Sequence, residues 1–160
     1  MPGRWAGLAA VALCVTSEPL RWNNGPALPQ GVDHHATFVT RGSAGAVLHV
    51  LGGNDYQQQY AGHWFAQIGA FGQVGAWRTG QAYPKPVLGP TVLVVGRTAI
   101  TIAGQNAGRQ NSPDVFTAPV GADGLLGEWT SAPALPAARF HHAAVAVGNT
   151  IYVLGGLETT

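Results

Sequence analysis

An all-β fold of repeated four-stranded sheets is what this sequence predicts, and three observations carry that reading. The first is composition. Of 160 residues 46% are hydrophobic and only 9% charged, with 23 glycines and 11 prolines cutting the apolar stretches into short runs. That is the pattern of many short strands joined by tight turns. The second is recurrence: Trp22, Trp77 and Trp129 stand 55 and 52 residues apart, and Gly53, Gly104 and Gly156 stand 51 and 52 apart. The third is self-similarity. "WFAQIGAFGQVGAW" (64–77) and "FTAPVGADGLLGEW" (116–129) agree at six of fourteen positions without a gap. A period of about 50 residues holding four short strands is one blade of a β-propeller.

Taken in order, residues 1–18 admit two readings. "MPGRWAGLAAVALCVTS" has one positive residue, Arg4, ahead of an apolar stretch of signal-peptide length, and Val15 and Ser17 suit a cleavage site before Glu18. "VALC" is close to a lipoprotein box, but Leu13 stands where a small residue belongs. In the other reading "GLAAVALCVT" is an extra β-strand and Cys14 a buried small hydrophobe. Residues 19–160 form the repeat region, with repeats at about 19–76, 77–128 and 129–160. Trp22 opens a fourth strand. A blade from about 32 to 81 starts with "ATFVT" and "AVLHVLGG". The next, from about 87 to 132, reads "TVLVV", "AITIAG", "DVFTAPV" and "GEWTSA". "VGRT" and "VGNT" are turns between first and second strands, and "GADG" joins third to fourth. "AAVAV" and "TIYVLGG" are the first two strands of a third blade.

The pattern resembles the kelch repeat: an Arg/His lead-in, an inner strand, a second strand closed by two glycines, an aromatic third strand and a tryptophan opening the fourth. "RFHHAAVAVGNTIYVLGG" (139–156) is the best match, and "LHVLGG" with Trp22 and Trp77 is good. The middle repeat departs, with Ala103-Gly104 for the double glycine and Gly89-Pro90 for the paired histidines. The resemblance implies a kelch-type β-propeller segment in which first strands line a central channel and end loops bind partners. Most members of that family are interaction modules and a few are enzymes.

Two complete blades and a split partial one do not make a ring, since propellers usually have about four to eight blades. Two arrangements resolve the count. The chain is part of a larger propeller, or two chains pair into a six-bladed ring. An open arc of three blades would expose strand edges and apolar faces.

Candidate binding residues lie in the polar loops between second and third strands, "GGNDYQQQYAGHW" and "GQNAGRQNSPDVF". They offer Asn54, Asp55, Tyr56, Tyr60 and His63, then Gln105, Asn106, Arg109 and Asn111. Amides, tyrosines and an arginine suit adaptable polar recognition of a protein or carbohydrate. Arg139 leads into an inner strand; its guanidinium suits a carboxylate ligand, while an ion pair or loop bond is the simpler role. His34-His35 and His141-His142 could hold a metal only by converging from different blades, because neighbouring strand residues face opposite ways. Trp22, Trp64, Trp77 and Trp129 recur with the repeat and are assigned to blade packing; Trp5 has no assignment.

Other classes find little support. Seven scattered arginines, one lysine and a net charge of +1 form no basic patch, which argues against nucleic acid. No apolar run reaches the roughly 18 residues of a membrane-spanning helix. One cysteine excludes an internal disulfide framework. There is no phosphate loop, zinc-protease motif or nucleophile elbow, so no cofactor and no catalytic residue is assigned. The leading reading is a non-enzymatic binding module, secreted or in the cell envelope, with a cytoplasmic one as the alternative. The runner-up is a fragment of a propeller enzyme acting on a sugar, resembling galactose oxidase or sialic-acid mutarotase in architecture.

Overall fold

The computed structural model describes residues 11–12 and 22–158; Trp5, Cys14 and the rest of the stretch 1–18 lie outside the described residues. All regular structure among them is strand. β3 (Ala36–Gly42), β4 (Gly45–Leu51), β5 (His63–Ile68) and β6 (Arg78–Thr79) form one antiparallel sheet in that order. β7 (Thr91–Val95), β8 (Thr98–Ile102), β9 (Val115–Pro119) and β10 (Thr130–Ala132) form a second. These are blades one and two. β11 (Ala143–Val147) and β12 (Thr150–Leu154) pair alone, as do β1 (Val11–Ala12) and β2 (Asn23–Asn24). Each recurring tryptophan immediately precedes its short outer strand, β2, β6 or β10. The chain is thus an all-β propeller segment with two complete blades.

The predicted turns fall where the backbone needs them. Gly96 and Gly148, in the turns leading into β8 and β12, both have φ of 59°. At the end of β4, Gly52 and Gly53 take φ of 70° and 94°, and a Cβ on Gly53 would lie 2.6 Å from the Asp33 carbonyl oxygen. Two demands, left-handed backbone and close approach, therefore select glycine here. The departure at Ala103 is a real one: it holds φ of 53° with a Cβ, in a region unfavourable for L-residues.

Blades are joined by a repeating clamp. The amide of Gly53 donates to the Val87 carbonyl at 2.8 Å, and one repeat later the amide of Gly104 donates to the Arg139 carbonyl at 3.0 Å. The turn after β3 is fastened to blade two as well: Ser43 N–H bonds Ala122 O at 2.8 Å, and Thr40 Oγ1 donates to Gly124 O at 2.6 Å. Between the blades lies the core, with Phe38 and Leu51 of blade one against Ala99, Ala118, Val120 and Leu126 of blade two and Tyr83 and Val87 of the connection. First strands β3, β7 and β11 lie side by side.

Burial follows this layering. In β3 Ala36, Phe38 and Thr40 are buried towards blade two while Thr37, Val39 and Arg41 are exposed. Every residue of β7, flanked on both sides, is half-buried. In β11 Ala143, Val145 and Val147 are exposed. The tryptophans divide likewise. Trp64 is buried, Trp77 Nε1 donates to Pro26 O at 3.0 Å, and Trp129 meets Tyr83 edge-on at 5.3 Å. Trp22 departs from the packing expected of it and is 68% exposed, because no described segment stands beside it as Pro26 and Tyr83 stand beside the other two.

Candidate functional site

The predicted loop residues gather at one end of the blades. Short bridges tie Asp33 to Asn54, Asn54 to Gln59, Leu88 to Gln105, Gln105 to Asn111 and Phe140 to Leu157. Each loop between second and third strands thereby sits beside the segment that leads into an inner strand. Asn54, Asp55, Tyr56, Tyr60, Gln105, Asn106, Arg109, Asn111 and Arg139 all belong to this end.

Most of these side chains hold the loops themselves. Asp55 Oδ1 accepts the amides of Gln57 and Gln58, both at 3.0 Å, and Tyr60 donates its hydroxyl to Asp55 Oδ2 at 2.5 Å. That bond holds the Asp55 carboxyl below its ordinary pKa and raises the Tyr60 phenol. One repeat on, Asn106 Oδ1 accepts the amides of Gly108 and Gln110, again at 3.0 Å. Asn111 Nδ2 reaches across to Leu157 O at 2.9 Å. Both loops are therefore Asx-type turns at equivalent places. Arg139 takes the structural role: its guanidinium meets Glu158 Oε1 at 2.5 Å and Gly155 O at 2.8 Å. Tyr56, 60% exposed, bonds Asp33, which raises its pKa. Arg109 is exposed at the tip of its turn with φ of 59°.

The histidines produce an arrangement that the strand argument missed. His34 and His141 are not extended; their φ values are 49° and 58°, matching 57° at Gly89 in the blade between. Their rings stack at 5.5 Å, and Phe140 lies 3.8 Å from His141 and 6.4 Å from His34. Gly89 makes the room, since a Cβ there would lie 2.8 Å from the Phe140 ring. His34 Nδ1 also pairs with Asp33 Oδ2 at 3.1 Å. Stacked rings present faces to each other, so their nitrogens do not converge on one ion. Among the described residues no group of three or more His, Cys, Asp or Glu could hold a metal.

A second histidine pair lies inside blade one. His63, read above as a loop residue, is the first residue of β5 and 1% exposed; His49 is 0% exposed. His49 Nδ1 contacts His63 Nε2 at 2.9 Å, Thr40 Oγ1 contacts His49 Nε2 at 2.8 Å, and His63 Nδ1 donates to Gln81 O at 3.1 Å. Burial pushes both imidazoles down to about 4, with the His63 charge adding to the effect on His49. The sequence signal was available: the equivalent positions in blade two are Ile100 and Val115, so both histidines occupy apolar places in the repeat. At the opposite end of the blades a cleft of about 450 Å³ lies between blades one and two, with Phe65, Gln67 and Arg78 on one side and Asp123 and Leu125 on the other.

No protein-family model and no curated protein matches the chain. Among solved structures it is similar to one described as "Structure of YjhT", with a TM-score of 0.73 and 15% identity, over 92% of this chain. The likeness is one of fold. The match covers 51% of the other chain, so this chain spans about half the length of the structure it resembles.

Proposed function

We propose that the chain is a non-enzymatic binding module that recognises a protein or glycan through the loop end of its blades, within a ring larger than the blades described. The observation that carries this reading is the pair of Asx-type loops, fixed by their own hydrogen bonds and carrying the exposed Tyr56 and Arg109 at the same end of the blades as the stacked His34–Phe140–His141 rings. Rigid loops lose little entropy on binding, and exposed aromatic and guanidinium groups suit sugar faces and peptide carboxylates. The kelch-like pattern supports the same reading, since that family uses its blade-end loops for recognition. Arrays of glycans and of peptides, probed with the chain and with Tyr56→Ala and Arg109→Ala, test it. A ligand whose binding falls about tenfold or more in either variant is expected; silence on both arrays with folded protein overturns the reading.

A second reading, a propeller enzyme acting on a sugar, draws support from one observation. Asp33, His34 and His141 bring an acid and two bases to the same end. Anomeric exchange of reducing sugars, followed by NMR with the wild type and His34→Phe, separates it from simple binding.

A further inference from the structure

We propose that the cleft between blades one and two is a second binding site, for a small molecule that carries a carboxylate and an ammonium group on an apolar body: an amino acid or a short peptide. The cleft lies at the end of the blades opposite the polar loops, so the inference goes beyond the loop-end reading and does not rest on it.

The two walls come from the two complete blades. Blade one supplies β5 and β6, whose register sets Phe65 opposite Arg78, with Gln67 two residues along β5 on the same face. Blade two supplies Asp123 and Leu125 from the turn after β9. The volume of about 450 Å³ falls within the range of sites that take small molecules. The floor is uncharged. Phe65 lies 6.3 Å from the rings of both His49 and His63, and burial keeps those imidazoles neutral down to about pH 4.

The two charges at the cleft do not neutralise each other. Among the described residues Arg78 forms no ion pair, and its guanidinium has no hydrogen-bond partner. Asp123 commits Oδ1 to the Leu125 amide at 3.0 Å and also forms no ion pair, so its second oxygen is open to a donor. A guanidinium suits a carboxylate, a carboxylate oxygen suits an ammonium, and the apolar floor suits the body between them.

Both walls are fixed in advance. Thr40 and Ser43 of blade one fasten the Asp123 turn through Gly124 O and Ala122 O, at 2.6 and 2.8 Å. The Gly75 amide holds Gln67 O at 2.8 Å. Blade packing does not demand this chemistry. At an offset of 52 the places of Phe65, Gln67 and Arg78 are taken by Thr117, Pro119 and Thr130, and the two threonines bond each other at 3.2 Å. Among the described residues, an aromatic floor beside an unpaired guanidinium therefore belongs to this junction and not to the repeat.

NMR titration of the nitrogen-15-labelled chain 1–160 is the test, with phenylalanine and alanyl-phenylalanine as probes. At millimolar concentration either probe should shift the backbone amides of residues 121–125 and the Arg78 side chain. Blocking the probe's amine or its carboxylate should weaken binding about tenfold or more, as should Arg78→Gln and Asp123→Asn. Both substitutions are at exposed sites, and asparagine keeps the acceptor for the Leu125 amide, so the circular dichroism spectrum should not change. The relative affinity of the two probes tells a free amino acid from a peptide. Tyr56→Ala and Arg109→Ala should leave the titration unchanged, so failure here and failure of the loop-end reading are distinguishable. No shift at the cleft with either probe overturns the proposal. Binding that survives blocking both charged groups overturns it too.

Discussion

At the scale of single residues, backbone conformation and buried ionisable groups set the sensitivities. Gly89→Ala places a Cβ at φ of 57° and 2.8 Å from the Phe140 ring. A loss of about 1–3 kcal/mol is expected in urea unfolding. The His49–His63 pair gives the chain an acid limit. Both groups have a folded pKa of about 4, below the unfolded value of 6.5, so the unfolded chain takes up protons first as pH falls. Stability is therefore complete above about 6.5 and declines as pH drops towards 4, with a slope approaching about 1.4 kcal/mol per pH unit for each group. Burial lowers His35 and His142 in the same direction. Thermal melts from pH 7 to 4.5 should show a falling midpoint, and His63→Gln should flatten the slope.

At the scale of strands and turns, much of the architecture was legible. Runs such as "TVLVV" and "TIYVL" alternate little but are short and β-branched, and each became the strand expected. The turn glycines were legible because glycine takes the φ required there without the steric cost a Cβ carries. What the one-dimensional repeat did not show is adjacency around an axis. Three equivalent positions, 34, 89 and 141, meet because their strands lie side by side, and the glycine in the middle admits the aromatic rings of its neighbours. The loops hold a role that composition did not show: Asp55, Tyr60 and Asn106 bond their own backbone or one another. The clamp between elements also yields a prediction. Thr40→Val keeps shape but removes the hydroxyl shared by Gly124 O and His49, leaving buried groups unpaired. A cost of about 1–3 kcal/mol is expected by chemical denaturation.

At the scale of the whole molecule, each blade is half an interface. β7 is half-buried throughout because it has neighbours on both sides, while β3 and β11 each leave alternate residues in solvent.

The row from Gln81 through His63, His49 and Thr40 to Gly124 has one last property. Four contacts join three hydroxyl or imidazole groups between two carbonyls that can only accept. Thr40 and the two neutral rings bring three hydrogens in all. One contact in the row therefore always lacks a hydrogen. With Thr40 committed to Gly124 and His63 to Gln81, the choice falls to His49: hydrogen on Nδ1 leaves the gap at Thr40, and hydrogen on Nε2 leaves it at His63. The gap moves when a single ring changes tautomer, with every heavy atom at rest. The nitrogen-15 shifts of the His49 ring should lie between those of the two pure tautomers, a buried defect shuttling between two addresses.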